Sequence, residues 1–285
     1  MDVIDAHVHA FTDEVAARPT ECFDGEPCFE LLYADPEARL ASVAKLIEAM
    51  DADGVSRSVV CGFPWRDAGR AKEHNQAVLQ AGKDHPDRLV PLAGVDPLAK
   101  SALAEAERSL AAGAAGLGEV GVYLADLNDE AVFSSLTRLA GLCAEADRPM
   151  LLHTNEPVGH DYPGKAPMSL RGLYDLIAAC PQTRFQLAHF GGGLFLFELL
   201  KKQVRGVLKN CVFDTAAGPY LYRPEVYPVF VQLAGAHRLL YGSDYPLLSL
   251  ARYRTDMTQA GLAPGLQAQI LADNARAFWR LPEGQ

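Results

Sequence analysis

The sequence predicts an α/β protein folded as a single (βα)8 TIM barrel, and two observations support this. Short apolar runs, rich in β-branched residues, alternate with longer stretches in which apolar residues recur every three or four positions. The short runs recur about every 34 residues, which is the length of one strand plus one helix. A chain of 285 residues also has the size of such a barrel. We therefore expect one domain over residues 1–285.

A two-domain α/β arrangement of the dinucleotide-binding kind is the alternative fold. No shift in composition and no linker divides the chain, and no GxGxxG follows a predicted strand. The glycines at 191–193 follow a strand, but they lack that spacing and are predicted as a flexible turn into the next helix. The barrel is the better prediction.

Eight apolar runs are predicted as the strands of the barrel. They are 3–9, 55–63, 88–95, 115–123, 149–154, 184–190, 210–216 and 238–244. Stretches between them, such as SALAEAERSLAAG and DEAVFSSLTRLAGLCAEA, have the apolar spacing of amphipathic helices.

Two connections that follow strands, 10–36 and 155–167, are longer than usual. Connections that follow strands lie at the carboxyl face of a barrel, where active sites are built. Both connections are therefore expected to cover the site or to contact the substrate.

The charge balance bounds the kind of partner that the chain can bind. It carries 26 basic and 36 acidic residues, a formal net charge of −10, and no basic block stands out. This disfavours binding to nucleic acid or to an anionic membrane surface. We expect a small-molecule substrate as the partner, and the sequence is also compatible with a homo-oligomer.

The N-terminus and the cysteines indicate the compartment. No basic region precedes the first apolar stretch, as a signal peptide would require, and no run of 18 apolar residues is present. The six cysteines are scattered without a CxxC pair, and several sit in apolar runs. We expect reduced, mostly buried thiols in a cytoplasmic protein, with a Cys22–Cys28 disulfide as the minor alternative.

The first predicted strand, within MDVIDAHVHAF, places two histidines at its carboxyl end. Alternate side chains of a strand share a face, so His7 and His9 point the same way. Two imidazoles on rigid backbone make a good pair of metal ligands, although two satisfied core histidines would give the same pattern. The other strands decide between these interpretations.

Polar groups of metal-ligand type lie at or near the ends of four more predicted strands. They are Glu119, His153, His189 and Asp244. In a barrel all these ends converge on one mouth, and burying so many such groups without a cation would cost several kcal/mol each. The pattern favours a metal site, although Asp244 alone could cap the next helix.

Five motifs stand out along the chain, and the first four contain the candidate histidines and Asp244. They are DAHVH (5–9), LLHTNEP (151–157), LAHFGGG (187–193), LYGSDYP (240–246) and DNARAFW (273–279). Together they resemble the amidohydrolase superfamily, and in particular its amidohydrolase-2 branch, whose members have one or two divalent metals at the mouth of a (βα)8 barrel.

The resemblance implies a role for each ligand candidate. His7, His9 and Asp244 would bind one metal, and His153 would be a further ligand. His189 would bind a second metal or act as a catalytic acid/base, and Asp244 would take the proton from the metal-bound water.

Glu119 departs from much of that branch. Its context, GLGEVG, resembles a strand of TatD-like deoxyribonucleases in which a glutamate bridges two metals. This favours a binuclear site, because a bridging carboxylate offsets the repulsion between two dications. The alternative is that Glu119 does not bind the metal itself and is the partner of a histidine that does. We predict zinc as the metal, with manganese, iron or cobalt also suited to such ligands.

The predicted function is hydrolysis of a small amide, lactone or ester by a metal-activated water. The first alternative is non-oxidative decarboxylation of an unsaturated or aromatic carboxylic acid. Such a site generally needs cationic residues for the carboxylate, and Arg66, His160 and Lys165 are candidates for substrate binding. A TatD-like nuclease is disfavoured by the charge of −10. A binding protein with a structural metal would have a closed coordination sphere.

Overall fold

The computed structural model describes residues 2–283, which form a ring of eight parallel strands surrounded by helices. The strands are β1 (Ile4–His9), β2 (Arg57–Cys61), β3 (Leu89–Pro91), β4 (Leu117–Val120), β5 (Met150–Leu152), β6 (Phe185–Leu187), β7 (Cys211–Asp214) and β8 (Leu239–Leu240). They pair in chain order as β1–β3 and β4–β8. Parallel bridges between Ala93 and Leu117 and between Val8 and Tyr245 close the ring. The predicted (βα)8 barrel is confirmed.

Helices connect consecutive strands around the outside of the ring. They are α1 (Asp13–Ala17), α2 (Pro27–Tyr33), α3 (Val43–Asp53), α4 (Ala68–Asp84), α5 (Ala102–Ala111), α6 (Glu130–Glu145), α7 (Leu170–Ala179), α8 (Lys202–Val207), α9 (Gly218–Leu221), α10 (Val226–Ala234), α11 (Leu250–Gln259), α12 (Pro264–Ala268) and α13 (Asn274–Trp279). Short 3₁₀ segments occur at Pro19–Cys22, His189–Leu199, Leu208–Asn210 and Ala236–Arg238, and a π turn at Gln269–Asp273 joins α12 to α13.

Every predicted strand is present, but the ladders are shorter than the apolar runs. The run 238–244 contributes only Leu239–Leu240 to the sheet. Beyond it the backbone leaves the ladder, and Asp244 adopts a positive φ of 58° while its N–H donates to the His7 carbonyl at 3.0 Å. The irregular end of the strand turns the Asp244 side chain towards β1.

Apolar side chains fill the interior of the barrel beneath its mouth. They include Ile4, Ala6, Val59, Cys61, Leu92, Leu151, Ala188 and Leu240. Asp5 is also buried, and its Oδ1 accepts main-chain N–H groups from His7 at 3.2 Å and Ser243 at 2.9 Å. Asp5 thereby joins β1 to the end of β8, and burial raises its pKa to about 7.

The segment 10–36 is long, as expected, but it is folded rather than an open loop. It contains α1, a 3₁₀ turn and α2, which pack aromatic rings against the barrel. Phe29 on α2 stacks on Trp65, with ring centroids 4.5 Å apart, and contacts Phe63 edge-on at 5.1 Å. This packing holds Tyr33, the last residue of α2, at the mouth of the barrel.

The segment 155–167 has no helix or strand and is held by side-chain to main-chain hydrogen bonds. Asn155 Oδ1 accepts the Ala166 N–H at 2.9 Å. The glycine run at 191–193 lies against this segment in a non-helical kink, where its φ angles are 65°, 60° and 93°. A Cβ on Gly192 would lie 2.2 Å from the Asn155 carbonyl oxygen, so this close approach requires glycine.

All six cysteines are free and buried, so the predicted thiols are confirmed and Cys22 and Cys28 form no disulfide. No helix within residues 2–283 has both the length and the apolar character needed to cross a bilayer.

Candidate metal centre

Four ligand-type atoms, from β1, from β4 and from the segment that follows β8, meet at the mouth of the barrel. The Nε2 atoms of His7 and His9 lie 3.2 Å apart, and Asp244 Oδ1 lies 3.7 Å and 3.2 Å from them. Glu119 Oε2 lies 3.7 Å from His7 Nε2 and 3.6 Å from His9 Nε2. These spacings are those of atoms that could surround one cation.

A second group of ligand atoms shares the Glu119 carboxylate. Glu119 Oε1 lies 2.9 Å from His153 Nδ1 and 3.7 Å from His189 Nε2. Its other oxygen faces His7 and His9, so one carboxylate contacts both groups. The geometry fits either a bridge between two cations or a carboxylate that binds one cation and orients His153.

Hydrogen bonds on the far side of two rings determine which nitrogen faces the centre. His7 Nδ1 lies 3.0 Å from Asp214 Oδ2, and His189 Nδ1 lies 2.8 Å from the Ala216 carbonyl oxygen. Both partners are acceptors, so each Nδ1 carries a proton and donates it. In the neutral rings Nε2 is then a free acceptor directed at the centre, as in metal-bound histidines.

His153 is oriented in the opposite sense. Its Nε2 donates to the Gly164 carbonyl oxygen at 2.9 Å, which leaves Nδ1 facing Glu119 Oε1. A neutral ring would place two acceptors 2.9 Å apart, so a proton or a cation has to lie beside them. These side chains therefore fit a bound divalent cation. Most of the atoms that face the centre have a free lone pair, and few of them carry a hydrogen.

The pKa values of the centre reflect burial opposed by neighbouring charges. Burial alone would lower the pKa of His7, but Cys61, Asp214 and Glu119 raise it well above its usual range. Burial would raise the pKa of Glu119, but His153 and His7 hold it well below that range. Protons therefore compete with a cation for His7, and cation affinity should fall as the pH falls.

The centre opens on one side. The side chains of His7 and Glu119 are buried at 0 % and 5 % exposure, whereas those of His9 and Asp244 are 16 % and 18 % exposed. The exposed edge faces a cavity of about 840 Å³, within the range of small-molecule sites. A cation here would keep positions open to a ligand, unlike a closed structural site.

Both long segments contribute to the walls of this cavity, as predicted from the sequence. The lining residues that they supply are Leu32, Tyr33, Glu156, Val158, Gly159, His160, Tyr162, Pro163 and Gly164. Phe63, Tyr123 and Tyr220 add further aromatic surface. The walls therefore present much apolar and aromatic surface, and charged or polar side chains away from the centre are also among the lining residues, namely Glu37, Arg39, Glu156 and His160.

The structure brings together all six predicted ligand residues, but it separates the predicted substrate-binding residues. His160 lines the cavity. Arg66 does not, because its Nε donates to Asp96 at 2.8 Å. Lys165 Nζ is directed at the carbonyl oxygens of Gly159 and His160, at 3.1 Å and 3.2 Å, and is also outside the lining. Both side chains are therefore engaged in contacts within the protein and do not face the cavity.

The sequence reasoning missed three residues of the site. Arg39 is the only arginine or lysine between residues 2 and 283 that lines the cavity, and Tyr33 lines it as well. Asp214 lies behind His7, where its Oδ2 accepts from His7 Nδ1 and from Gln186 Nε2 at 2.8 Å. As the last residue of β7, it carries the same strand-end signal that identified Asp244.

Replacing Asp214 with asparagine is expected to weaken cation binding while the barrel stays folded. The buried carboxylate fixes the His7 tautomer, and its Oδ1 also accepts the His189 N–H at 3.0 Å. Partners of this kind typically contribute about 10–100-fold in metal affinity or activity. Metal titration of the variant against Asp175→Asn, an exposed helical carboxylate, measures the loss. Equal affinities in the two variants would assign Asp214 a purely structural role.

No curated protein sequence matches the chain. A 5-carboxyvanillate decarboxylase from Sphingomonas paucimobilis superposes with a TM-score of 0.72 at 16 % identity, and the match covers 99 % of both chains.

Two further solved structures extend this likeness. A 5-carboxyvanillate decarboxylase from Novosphingobium aromaticivorans, in complex with manganese and 4-hydroxy-3-methoxy-5-nitrobenzoic acid, gives a TM-score of 0.71 at 19 % identity, covering 98 % of this chain and 96 % of the other. A protein from Acinetobacter baumannii described as a probable 2-pyrone-4,6-dicarboxylic acid hydrolase gives 0.61 at 18 %, covering 98 % and 100 %. At these identities the likeness shows the fold.

The sequence model of one family matches nearly the whole chain. That family is described as amidohydrolase, and the match extends over residues 4–281, from the first residue of β1 to just beyond α13. The matched region contains the six residues that meet at the mouth of the barrel, and the predicted resemblance is confirmed. The chain belongs to the amidohydrolase family.

Proposed function

We propose that the protein is a metal-dependent decarboxylase that removes a carboxylate, without oxidation, from a small aromatic or unsaturated carboxylic acid. The observation that carries the proposal is the position of the centre at the floor of a cavity with aromatic walls. His9 and Asp244 are the members of the centre most exposed towards that cavity. A planar acid could therefore direct its carboxylate at the centre while its ring contacts the walls.

The aromatic walls favour a planar substrate. Tyr33, Phe63, Tyr123 and Tyr220 present ring surface to the cavity. Rings of this kind bind aromatic groups by offset or edge-to-face contacts, each contributing about 0.5–1.5 kcal/mol beyond the area buried. The solved structures with the higher TM-scores described above act on, or hold, substituted hydroxybenzoic acids, which supports the same substrate class.

Arg39 is suited to a second role in substrate binding. It lines the cavity, and its side chain has no ion pair or hydrogen bond within residues 2–283. Glu156, a carboxylate of the same wall, is already occupied by the Tyr162 hydroxyl at 2.7 Å and by Lys165 at 3.5 Å. The Arg39 guanidinium is therefore available for an anionic substrate group.

Decarboxylation requires a proton on the carbon from which CO₂ leaves. When bound, a divalent cation would hold the substrate carboxylate and withdraw electron density from it. His189 lines the cavity. Its Nε2 faces the centre because its Nδ1 donates to the Ala216 carbonyl oxygen. If one cation occupies the centre, His189 Nε2 would be free of metal, and a proton taken up there could pass to the substrate carbon as the bond to the carboxyl carbon breaks.

Metal-dependent hydrolysis is the second candidate function, and the position of Glu119 favours it. Its two oxygens face two groups of ligand atoms, as a bridge between two cations would. In that arrangement Asp244 would accept the proton of the attacking water. The measurable difference between the candidates is the product, which is CO₂ for one and a hydrolysed ester, lactone or amide for the other.

Nuclease activity has less support from the cavity. Glu37 and Glu156 line it, and Arg39 is its only arginine or lysine within the described residues. Polyanionic nucleic acids are bound mainly through clusters of lysine and arginine on their phosphates. The cavity suits a small molecule better.

A substrate panel tests the proposal. The purified protein, reloaded with Zn²⁺ or Mn²⁺, is assayed for CO₂ release from hydroxybenzoic and methoxy-hydroxybenzoic acids, and for hydrolysis of lactones, amides and esters. We expect CO₂ and the corresponding phenol. Hydrolysis of a lactone or amide with no CO₂ from any acid would overturn the proposal in favour of the second candidate.

Arg39→Met is expected to raise KM for the acid with little change in kcat. A charge-assisted hydrogen bond contributes about 1.5–3 kcal/mol, which corresponds to roughly a 10–100-fold increase in KM. Arg66→Met is the matched control, because Arg66 is held by Asp96 outside the cavity. Equal KM values for the two variants would exclude Arg39 from substrate binding.

A further inference from the structure

Cys61 is the last residue of β2 and lies next to the ligand candidates of β1. The parallel pairing of the two strands places Cys61 opposite His9. Its side chain faces the barrel interior and is 1 % exposed. Two adjacent strand ends therefore present a thiol and imidazoles from rigid backbone, just below the cavity.

The distances are close to those of a shared cation. One nitrogen of His7, one nitrogen of His9 and the Cys61 sulfur all lie within 4.8 Å of one another. Tetrahedral zinc has Zn–N bonds of about 2.1 Å and Zn–S bonds of about 2.3 Å, so its ligand atoms are roughly 3.4–3.6 Å apart. Because the separations are at most 4.8 Å, the sulfur would need to approach by about 1.2 Å at most, a movement that an adjustment of side-chain torsion provides.

No other cysteine has this environment. Among residues 2–283, Cys61 is the only cysteine that belongs to a group of three ligand-type side chains. Cys211 is a useful contrast, because it is equally buried, at 1 % exposure, but opens β7 at the amino end of the barrel. The arrangement at Cys61 is therefore a local feature and not a general property of buried thiols in this chain.

We propose that Cys61 supplies a sulfur ligand to the cation held by His7 and His9, and that the sulfur makes the centre select zinc or cobalt over manganese. On binding, the S–H bond breaks, the sulfur–metal bond forms and the proton leaves to solvent. Soft thiolate ligands suit zinc, whereas carboxylate and other oxygen ligands suit manganese. The inference goes beyond the proposed function, because it concerns the composition of the centre and applies equally to decarboxylation and hydrolysis.

The absorption spectrum of the cobalt-loaded protein tests the sulfur ligand directly. The full chain is stripped of metal with a chelator and titrated with Co²⁺. A thiolate bound to Co²⁺ gives an intense sulfur-to-metal charge-transfer band in the near ultraviolet, whereas histidine and carboxylate ligands give only the weaker visible bands. We expect the near-ultraviolet band in the wild type and in Cys211→Ala, and its loss in Cys61→Ala with the visible bands retained.

Several outcomes would overturn the proposal. They are visible cobalt bands without the near-ultraviolet band in the wild type, a band that persists in Cys61→Ala, and no cobalt binding at all. The wild-type spectrum decides whether sulfur binds even if Cys61→Ala does not fold. In that case Cys61→Ser, whose hydroxyl gives no such band, identifies the residue.

Competition between cations tests the selectivity. The ratio of Zn²⁺ affinity to Mn²⁺ affinity is measured in the wild type, Cys61→Ala and Cys211→Ala with a chromophoric chelator. Residues that only support metal ligands contribute about 10–100-fold in affinity, so loss of a direct zinc ligand should lower this ratio by at least tenfold. An unchanged ratio in Cys61→Ala would overturn the assignment of selectivity to the sulfur.

Discussion

His9→Ala is expected to abolish activity and to remove the tightly bound cation while the barrel stays folded. His9 Nε2 lies 3.2 Å from both His7 Nε2 and Asp244 Oδ1, so its loss opens the centre on the side of the cavity. Removing a direct ligand should cost more than the roughly 100-fold seen for supporting residues. Elemental analysis after dialysis and assay of the reloaded protein measure the two losses.

His9 is a cleaner choice than His7 for this experiment. His7 is fully buried and donates to Asp214, so His7→Ala would leave a buried carboxylate without that donor and destabilise the fold as well. His9 is partly exposed at the end of β1. Its loss should change the thermal unfolding of the metal-free protein little.

His160→Ala is the matched control. His160 lines the same cavity but lies outside both groups of ligand atoms. We expect it to keep its metal content, whatever its effect on the reaction. Full cation occupancy in His9→Ala would remove His9 from the centre, and an equal loss in His160→Ala would show that the effect is not specific to the ligand position.

The sequence alone indicates which side chains meet at the mouth, because the barrel imposes a simple rule on them. Strand ends converge on one mouth, so a histidine or carboxylate at the end of an apolar run is marked by position alone. His153 follows β5 directly, and His189 lies two residues beyond β6. Neither strand length nor exact pairing had to be known for this inference.

Cys61 and Asp214 also lie at strand ends, but the sequence analysis did not include them among the candidates for the centre. Both are the last residues of strands, β2 and β7. Cys61 was assigned to the buried thiols because nothing in the sequence fixes its register opposite His9. Asp214 Oδ2 lies 3.0 Å from His7 Nδ1, and that contact joins residues 207 positions apart in the sequence.

The sequence alone does not reveal which cationic side chains face the cavity, because this depends on ion pairs and packing. Arg66 looked available at the end of β2, but Asp96, 30 residues away, accepts from its side chain. Arg39 was overlooked because it lies beyond α2, and only the packing of that helix brings this part of the chain to the cavity. Charge patterns alone do not reveal which cation is already paired.

Glu119→Gln is expected to separate the two candidate functions. Among residues 2–283, Glu119 is the only side chain that lies within ion-pair distance of both groups of ligand atoms. Glutamine keeps the size of the side chain and removes its charge. If two cations lie roughly 3.5–4 Å apart in the wild type, the bridging charge offsets much of their repulsion. The cation held by His153 and His189 would then be weakened most.

Metal titration of the wild type, Glu119→Gln and Glu156→Gln gives the result. Glu156 is the matched control, because it is a cavity carboxylate that is bound to Tyr162 and Lys165 and not to the ligand histidines. For the proposed decarboxylase we expect no more than one cation per chain in all three proteins, with the affinity lowered only in Glu119→Gln, because one Glu119 oxygen faces His7 and His9. In that one-cation state the proton shared by His153 and Glu119 takes the place of a second cation. Two cations in the wild type and in Glu156→Gln, falling to one in Glu119→Gln, would contradict that expectation and favour the hydrolase.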